Sequence, residues 1–380
     1  MAVRGVFVGA TYAVVAAVVL SIYMTQWGLS DGSPRYGFKK MITLEAYRPF
    51  VYRLFMPAAI NGLAALVPTA IAERIENAAA APPPDLEGGK IMNLSTDEKL
   101  RLKLHRMQTS YRWADGDYVE RLAAYGLMFG LLVAAQVCLR FIVNSVYDMP
   151  RAVSDFTPAI AALFLPFTFL GSGYLYDFAD VFFISLTTLL LLRRQWWLYY
   201  PAFVFAVFNK ETSVLLIFAF WAFHGAAFGA RSLAVHSAIH VALGSAVVLP
   251  IRWWFRNNSG LGMEWHLGEN VAYYLRPATY LDLEDIYAPF IMFPTYFNVV
   301  LVFMTGFLAF YQWRAKPWPI RKLFLVLFFV LLPLFVTGGW LNEVRVFYLC
   351  LPAYVLLSIH TLFFLYTGAA PRLAESSAQE

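Results

Sequence analysis

Long apolar stretches separated by short polar segments run along almost the whole chain. A helix needs about 20 apolar residues to cross the hydrocarbon core of a bilayer. We predict spanning helices at about 5–24, 120–146, 156–174, 176–192, 233–253, 290–312, 321–340 and 344–366. This pattern predicts an all-α polytopic membrane protein with about 9–11 transmembrane helices, in which residues 1–380 form a single transmembrane domain.

The apolar stretch at about 197–226 is interrupted by four polar residues, Asn209 to Thr212. Each half is about 12–14 residues long. Twelve residues of helix rise only about 18 Å, less than the ~30 Å hydrocarbon core. We therefore predict two short helices with the polar apex inside the protein, where an ionisable residue indicates a functional site. The alternative is a loop at the headgroup level, in which Lys210 pairs with Glu211.

Residues 25–118 are predicted to form a long first extracytoplasmic loop that contains interfacial helices. Within it, 54–72 carries two prolines and an asparagine, which favour an interfacial or re-entrant helix pair over a spanning helix. The composition of 77–90 is typical of a linker. Ser95 and Glu98 have the spacing of a capping box and predict the start of a charged surface helix.

Lysine and arginine collect in the short loops on one side of the predicted bundle, which the positive-inside rule assigns to the cytoplasm. The residues concerned are Arg151, Arg193, Arg194, Arg231, Arg314, Lys316, Arg321 and Lys322. The other polar segments then lie together outside, and we expect the functional site there. If 54–72 crosses the membrane, the orientation of every later segment reverses.

The composition supports the membrane class. The chain is 60% hydrophobic and 14% charged, whereas a soluble domain has about 45–50% and about 25%. The net charge of +5 follows from the basic loops and requires no nucleic acid. Cys138 and Cys350 lie in apolar stretches, so they predict neither a disulfide framework nor a metal site.

Two basic residues are candidates for holding a phosphate. Lys210 lies at the predicted apex, flanked by Asn209 and Glu211. Arg345 opens the last helix on the outer side, where arginine is unusual, and a guanidinium binds phosphate through two hydrogen bonds. The alternative is that Arg345 pairs with Glu343 or an aspartate and fixes two helices together.

Further candidates come from the acidic and aromatic segments. Asp177 and Asp180 share one face at a predicted helix start, where they could cap the helix or bind a metal or a sugar. Arg48 and Arg53 stand among aromatic residues, as in a lipid-headgroup contact or a structural anchor. Glu264, His266 and Glu269 could bind zinc, although their spacing does not require it. Asp31 and Glu45 are the acidic residues that follow the first helix most closely.

The layout from residue 1 to about 366 resembles the GT-C superfamily of integral membrane glycosyltransferases, which have many spans and a long first extracytoplasmic loop. The segment "NKETS" resembles a Lys- or Arg-bearing box of bacterial members, and "YDFAD" and "NEVR" are similar to boxes in small bacterial members. The usual Asp-x-Asp or Glu-x-Asp motif of the first loop is missing.

The resemblance implies a hexosyl- or pentosyltransferase of the bacterial inner membrane that faces the periplasm. It implies a polyprenyl-phosphate-linked sugar as donor and the lipid bilayer as its surroundings. Asp31 or Glu45 would be the general base, and Asp177 and Asp180 would position the sugar or a divalent cation. The residues that would bind the substrate also include Lys210, Asn209, Glu211, Arg345, Glu343, Arg53, Arg48 and His266.

Two other functions fit the same pattern. One is a transporter or flippase of a lipid-linked envelope intermediate, since transporters also use broken helices. The other is a non-catalytic membrane scaffold, which would tolerate loss of charge at Lys210 and Arg345.

Overall fold

The computed structural model of the protein describes residues 2–84, 94–169, 173–281, 285–288, 291–294, 299–341 and 343–374. The linker prediction at 77–90 and the spanning prediction at 290–312 lie partly outside the described residues.

The described chain is almost entirely helical. The first eight helices are α1 (Ala2–Trp27), α2 (Phe38–Ile42), α3 (Phe55–Ala65), α4 (Thr69–Ala80), α5 (Thr96–Tyr111), α6 (Tyr118–Val146), α7 (Arg151–Leu163) and α8 (Asp177–Leu192). The other eight are α9 (Trp196–Asn209), α10 (Leu216–His224), α11 (Ala230–Trp254), α12 (Leu267–Leu275), α13 (Ala278–Leu281), α14 (Val299–Phe310), α15 (Trp318–Gly338) and α16 (Leu351–Thr367). Short 3₁₀ helices lie at Gly28–Ser30, Phe50–Tyr52, Leu165–Phe169, Glu211–Leu215, Trp313–Ala315 and Val344–Cys350.

Two small antiparallel sheets complete the described structure. Strand β1 (Tyr147–Asp148) pairs with β4 (Arg372–Leu373) and joins the end of α6 to the C-terminal segment. Strand β2 (Asp285–Ala288) pairs with β3 (Ile291–Pro294).

Within the described residues, six helical segments are long and apolar enough to cross a membrane. They are Val3–Ser30, Tyr118–Val146, Arg151–Phe169, Ala230–Trp254, Trp318–Gly338 and Val344–Thr367. The predicted class, an all-α polytopic membrane protein, is confirmed. The predicted number of about 9–11 also includes α8, α9 and α14, which have 16, 14 and 12 residues.

The core forms around α6. This helix packs against α1, α3, α7 and α8, and α8 packs in turn against α9 and α16. Because α8 is buried along nearly its whole length, its two aspartates lie inside the protein. Cys138 and Cys350 are buried and free, as their apolar surroundings predict.

The segment at 54–72 is a pair of short helices. Helices α3 and α4 meet at an angle of 106°, and Pro68 stands directly before α4, where a proline can begin a helix. The structure therefore contains the helix pair that the sequence predicts. By length and composition, the pair can be either a re-entrant loop or one broken span.

The polar box breaks the helix as predicted. Helix α9 ends at Asn209, Lys210 is extended with φ −156°, and a 3₁₀ helix from Glu211 leads into α10. Asn209 is fully buried, and the Lys210 side chain is only 12% exposed. The apex lies inside the protein, which agrees with its short flanking helices.

Candidate functional site

The polar segments predicted to lie on one face surround a cavity of about 820 Å³. Its walls come from the segment after α1, the start of α8, the apex after α9, the second half of α11, the 262–264 loop and the turn after α15. Its charged lining residues are Arg35, Arg53, Lys210, Arg252, Glu211, Glu264 and Glu343. The described lining thus has four cations and three acids, a net charge of +1.

Lys210 is held by an aspartate of the neighbouring helix. Its Nζ donates to Oδ2 of Asp180 at 2.7 Å, and the Asp180 side chain is 3% exposed. The Asn209 side-chain amide donates to the backbone oxygen of Tyr176 at 3.2 Å. The break after α9 is therefore joined to the start of α8, and the partner of Lys210 is Asp180 instead of Glu211.

Arg345 lies behind the cavity wall and binds two carboxylates. Its Nη1 donates to Asp177 at 2.8 Å and its Nη2 to Glu343 at 3.1 Å. The same Asp177 oxygen accepts the backbone N–H of Tyr174 at 2.8 Å, and Arg345 stacks over the Tyr174 ring at 4.3 Å. This geometry matches the alternative in which Arg345 fixes helices together.

Arg53 is enclosed by aromatic rings. Its guanidinium lies 4.2 Å from the ring centroid of Tyr176 and 5.2 Å from that of Phe50, and it donates to the Tyr176 hydroxyl. Its Nε is buried without a hydrogen-bond partner. In the part of the chain that the structure describes, no carboxylate lies within 4.0 Å of Arg53. Arg53 therefore has no direct ion-pair partner among the described residues, and it acts on the carboxylates of Glu211 and Asp180 only from a longer distance.

The remaining charged pairs cross between distant segments. Arg35 binds Glu264 at 2.6 Å, and Glu264 also contacts His266 at 3.2 Å. Glu211 faces Arg252 of α11 at 3.6 Å. The other oxygen of Glu211, Oε2, is buried and has no hydrogen-bond partner among the described residues.

One wall of the cavity is apolar. It is formed by the 3₁₀ helix after Lys210, by α10 and by α11, through Val214, Leu215, Ile217, Val241, Gly244, Val248 and Leu249. On α11, Val241 is 60% exposed and Leu249 is 65% exposed. The apolar wall is therefore continuous with the outer surface of a predicted spanning helix.

Arg48 and His266 build the loops around the cavity but do not line it. The Arg48 N–H and guanidinium donate to the backbone oxygens of Ser259 and Gly260 at 2.8 and 2.6 Å. The backbone N–H of His266 donates to Thr337 at 2.7 Å, and its ring meets Trp340 edge-on. These contacts tie the loop after α11 to the segment after α1 and to the end of α15.

Asp31 and Glu45 do not line the cavity. Asp31 binds the buried Arg121 through both oxygens, at 2.5 and 3.2 Å, and accepts the backbone N–H of Ala114. Glu45 is exposed and binds Lys40 at 2.6 Å; this hydrogen bond lowers the pKa of Glu45. Each of the two carboxylates is paired with a cation outside the cavity.

Sequence reasoning missed Arg35, Arg252, Arg121 and Asn270. Asn270 donates to three backbone oxygens at the end of α15 and accepts the N–H of Leu341 at 2.8 Å, which positions the turn before Glu343. Arg252 had a detectable signal, because an arginine near the predicted outer end of a spanning helix departs from the positive-inside rule, as Arg345 does in the predicted topology. Arg35 and Asn270 carry no such signal.

The acidic residues fit a divalent cation poorly. Asp177, Asp180 and Glu264 each bind a lysine or arginine at 2.8 Å or less. Across the described residues, no group of three or more His, Cys, Asp and Glu side chains is arranged to hold a metal. Glu264, His266 and Glu269 lie near one another, but Glu264 is held by Arg35.

The fold and the apolar helices together define an integral membrane protein of the α-helical polytopic class. Comparison of the chain with protein-family models, with curated proteins and with solved structures found no match in any of the three.

Proposed function

We propose that the protein is a glycosyltransferase that takes its sugar from a polyprenyl-phosphate donor. The observation that carries this proposal is the position of Arg53, a cation without a direct ion-pair partner among the described residues, in a cavity that also has an apolar wall. The phosphate group would pair with the cation, and the isoprenoid chain would pack against the apolar wall. A ligand with both parts fits this cavity better than a soluble metabolite does.

The cations of the cavity suit the phosphate end of such a donor. Arg53 and Lys210 flank the same Tyr176 ring, at 4.2 and 6.0 Å from its centroid. The aromatic rings partly bury Arg53, and partial removal of water strengthens its attraction for an anion. When the bond between sugar and phosphate breaks, negative charge develops on the phosphate, and fixed positive charges stabilise it.

The apolar wall suits the lipid end of the donor. Its residues on α11 continue onto a surface that faces outward from the bundle, so a chain can remain in the bilayer while the headgroup occupies the cavity. Gly244 allows α11 to pack closely against Val214 in this wall, because a Cβ there would lie 3.2 Å from a Val214 methyl group.

The experiment is a transfer and binding assay in lipid nanodiscs. The purified protein is given radiolabelled polyprenyl-phosphate sugars, and binding of a polyprenyl phosphate is compared with that of the matching polyprenol. We expect sugar transfer and preference for the phosphate. Equal binding of both lipids, together with no release of sugar, would contradict the proposal and favour a scaffold. Binding of the phosphate without any release of sugar would favour the transporter.

Arg53→Ala tests the observation directly. A hydrogen bond to a charged group contributes roughly 1.5–3 kcal/mol, so we expect about 10–100-fold weaker binding of the polyprenyl phosphate. Arg256→Ala is the matched control, since Arg256 contacts Trp253 and does not line the cavity. Loss of binding in both variants would show a nonspecific effect of charge.

The proposed orientation places the cavity at the extracytoplasmic face of a bacterial inner membrane. It rests on the basic short loops. Single cysteines at Asn257 and Arg194, both exposed, distinguish the two sides, because Cys138 and Cys350 are buried. In intact cells, an impermeant maleimide should label the cysteine at 257 and should spare the one at 194. The reverse pattern would place the cavity in the cytoplasm.

A further inference from the structure

We infer that Glu211 is the general base of this reaction, an inference that rests on the proposed glycosyl transfer. Such a reaction needs a carboxylate that contacts the cavity, keeps an oxygen available for a proton and lies near the bound phosphate. Glu211 meets these three conditions.

The other acidic residues are committed to strong partners. Among the acids that line the cavity, Glu264 lies 2.6 Å from Arg35, and Glu343 lies 3.1 Å from Arg345 and accepts the N–H of Trp340. Asp31 and Glu45 lie outside the lining and bind Arg121 and Lys40. A carboxylate held by a close cation is a weak proton acceptor.

Glu211 is held more loosely. Its nearest cation, Arg252, is 3.6 Å away, which is longer than a hydrogen bond. Its Oε2 is buried, has no hydrogen-bond partner among the described residues, and belongs to a side chain that lines the cavity. A buried hydrogen-bond acceptor without a partner is costly. The hydroxyl group of the molecule that receives the sugar, bound in the cavity, would donate the missing hydrogen bond.

Binding of the polyprenyl-phosphate donor would make Glu211 a stronger base. The charges that act on Glu211 come from Arg53 on the segment after α1, Arg252 on α11 and the adjacent Lys210. Burial, the largest effect, favours protonation of Glu211, and these three positive charges oppose it. A phosphate bound to Arg53 and Lys210 would offset these charges, so Glu211 would become a stronger base when the donor is in place.

The step balances within the cavity. The hydroxyl proton of the acceptor moves to Oε2 of Glu211 while the acceptor oxygen forms a bond to the anomeric carbon of the sugar. The bond between that carbon and the phosphate oxygen breaks, and its electron pair leaves with the phosphate. Arg53 and Lys210 then bind the additional negative charge. Release of the proton to water restores Glu211.

Glu211→Gln keeps the size of the side chain and removes the base. We expect kcat to fall about 10²–10⁴-fold, with donor binding changed by less than about threefold. The acidic limb of the rate–pH profile should disappear in this variant and remain in Glu211→Asp. Glu73→Gln is the matched control, since Glu73 is exposed on α4 and does not line the cavity.

The outcomes separate this inference from the proposed function. If the wild-type protein transfers no sugar, the proposed function fails and Glu211 has no reaction to serve. If the wild-type protein is active and Glu211→Gln retains its rate and its acidic limb, the assignment of Glu211 is wrong. If Asp31→Asn or Glu45→Gln loses the acidic limb while Glu211→Gln keeps it, the general base is Asp31 or Glu45 in the first loop.

Discussion

Lys210 and Asp180 form a buried ion pair with 2.7 Å between Nζ and Oδ2. The pair lies at the break between α9 and the 3₁₀ helix that follows it. The pair joins the polar box to the start of α8. It keeps the end of α9 beside Tyr176, and therefore beside Arg53.

Lys210→Met should destabilise the protein. Removing one member of a buried pair typically costs about 3–5 kcal/mol, because the remaining charge has no partner. We expect a loss of this size in the free energy of unfolding, measured by SDS titration in mixed micelles. Lys103→Met on the exposed face of α5 is the control. Lys210→Met/Asp180→Asn should recover part of the loss, and a double variant no better than the single one would contradict the pairing.

Arg345→Lys should fail to replace arginine. The guanidinium reaches Asp177 and Glu343 at the same time through two nitrogens and also stacks on Tyr174. An ammonium cannot reproduce this planar arrangement. We expect the variant to lose roughly 2–4 kcal/mol in the same SDS titration, on the scale of a broken buried pair. Arg256→Lys, at an exposed position, should be neutral, and wild-type stability of Arg345→Lys would show that charge alone suffices.

Gly244→Leu should block the apolar wall of the cavity. A Cβ at this position comes within 3.2 Å of Val214, so a larger side chain must displace Val214, a residue of the wall proposed to contact the lipid. We expect at least tenfold weaker binding of a long-chain polyprenyl phosphate, measured by titration in nanodiscs. Inorganic phosphate should bind the variant and the wild type alike.

Gly126→Leu is the control for that substitution, because nothing lies within 4 Å of a Cβ at this helical position. Unchanged binding of the long-chain lipid to Gly244→Leu would place the chain elsewhere.

The start of α5 should loosen in acid. The side chains and backbones of Ser95 and Glu98 form a reciprocal capping box, and the hydrogen bonds from Ser95 lower the pKa of Glu98. A carboxylate with a lowered folded pKa stabilises the helix above its unfolded pKa, and this contribution is lost as the pH falls through the folded value. Amide protection factors at 96–100, corrected for intrinsic exchange, should therefore fall between pH 6 and pH 3, on either side of the usual glutamate pKa of about 4.3.

Ser95→Ala removes the serine half of the box. A lost N-cap costs roughly 1 kcal/mol, so protection at neutral pH should fall about fivefold. The variant should also lose part of the pH dependence, since the backbone N–H of residue 95 still donates to the Glu98 carboxylate. Equal pH dependence in the wild type and the variant would assign it to another group.

Features that depend on neighbouring residues were predictable from the sequence. The apolar stretches gave the positions of the long helices, the short flanks of the polar box gave its break and burial, and the Ser95–Glu98 spacing gave the capping box. Each signal is complete within about 30 residues. The convergence of the polar segments also followed, because helix ends on one side of a bundle must meet.

Pairing between distant residues was not predictable. The sequence suggested an ion pair between the neighbours Lys210 and Glu211. In the structure, packing of α8 against α9 pairs Lys210 with Asp180 instead. Arg35 belongs to a segment with no distinctive pattern, yet it meets Glu264 more than 200 residues later. The choice among Asp31, Glu45 and Glu211 depends on which cations pack nearby, and a single sequence does not contain that information.

Asp177 and Arg345 are 168 positions apart in the chain, and this separation has a consequence for biosynthesis. A ribosome adding about 5–20 residues per second needs roughly ten to thirty seconds to reach Arg345 after Asp177. During that interval the aspartate is already in the nascent protein, whereas its guanidinium partner has not been made. The positive charge that balances Asp177 is therefore added near the end of synthesis, with the 3₁₀ helix that contains Arg345. A chain truncated before residue 345 exposes an uncompensated carboxylate to the quality-control machinery of the membrane.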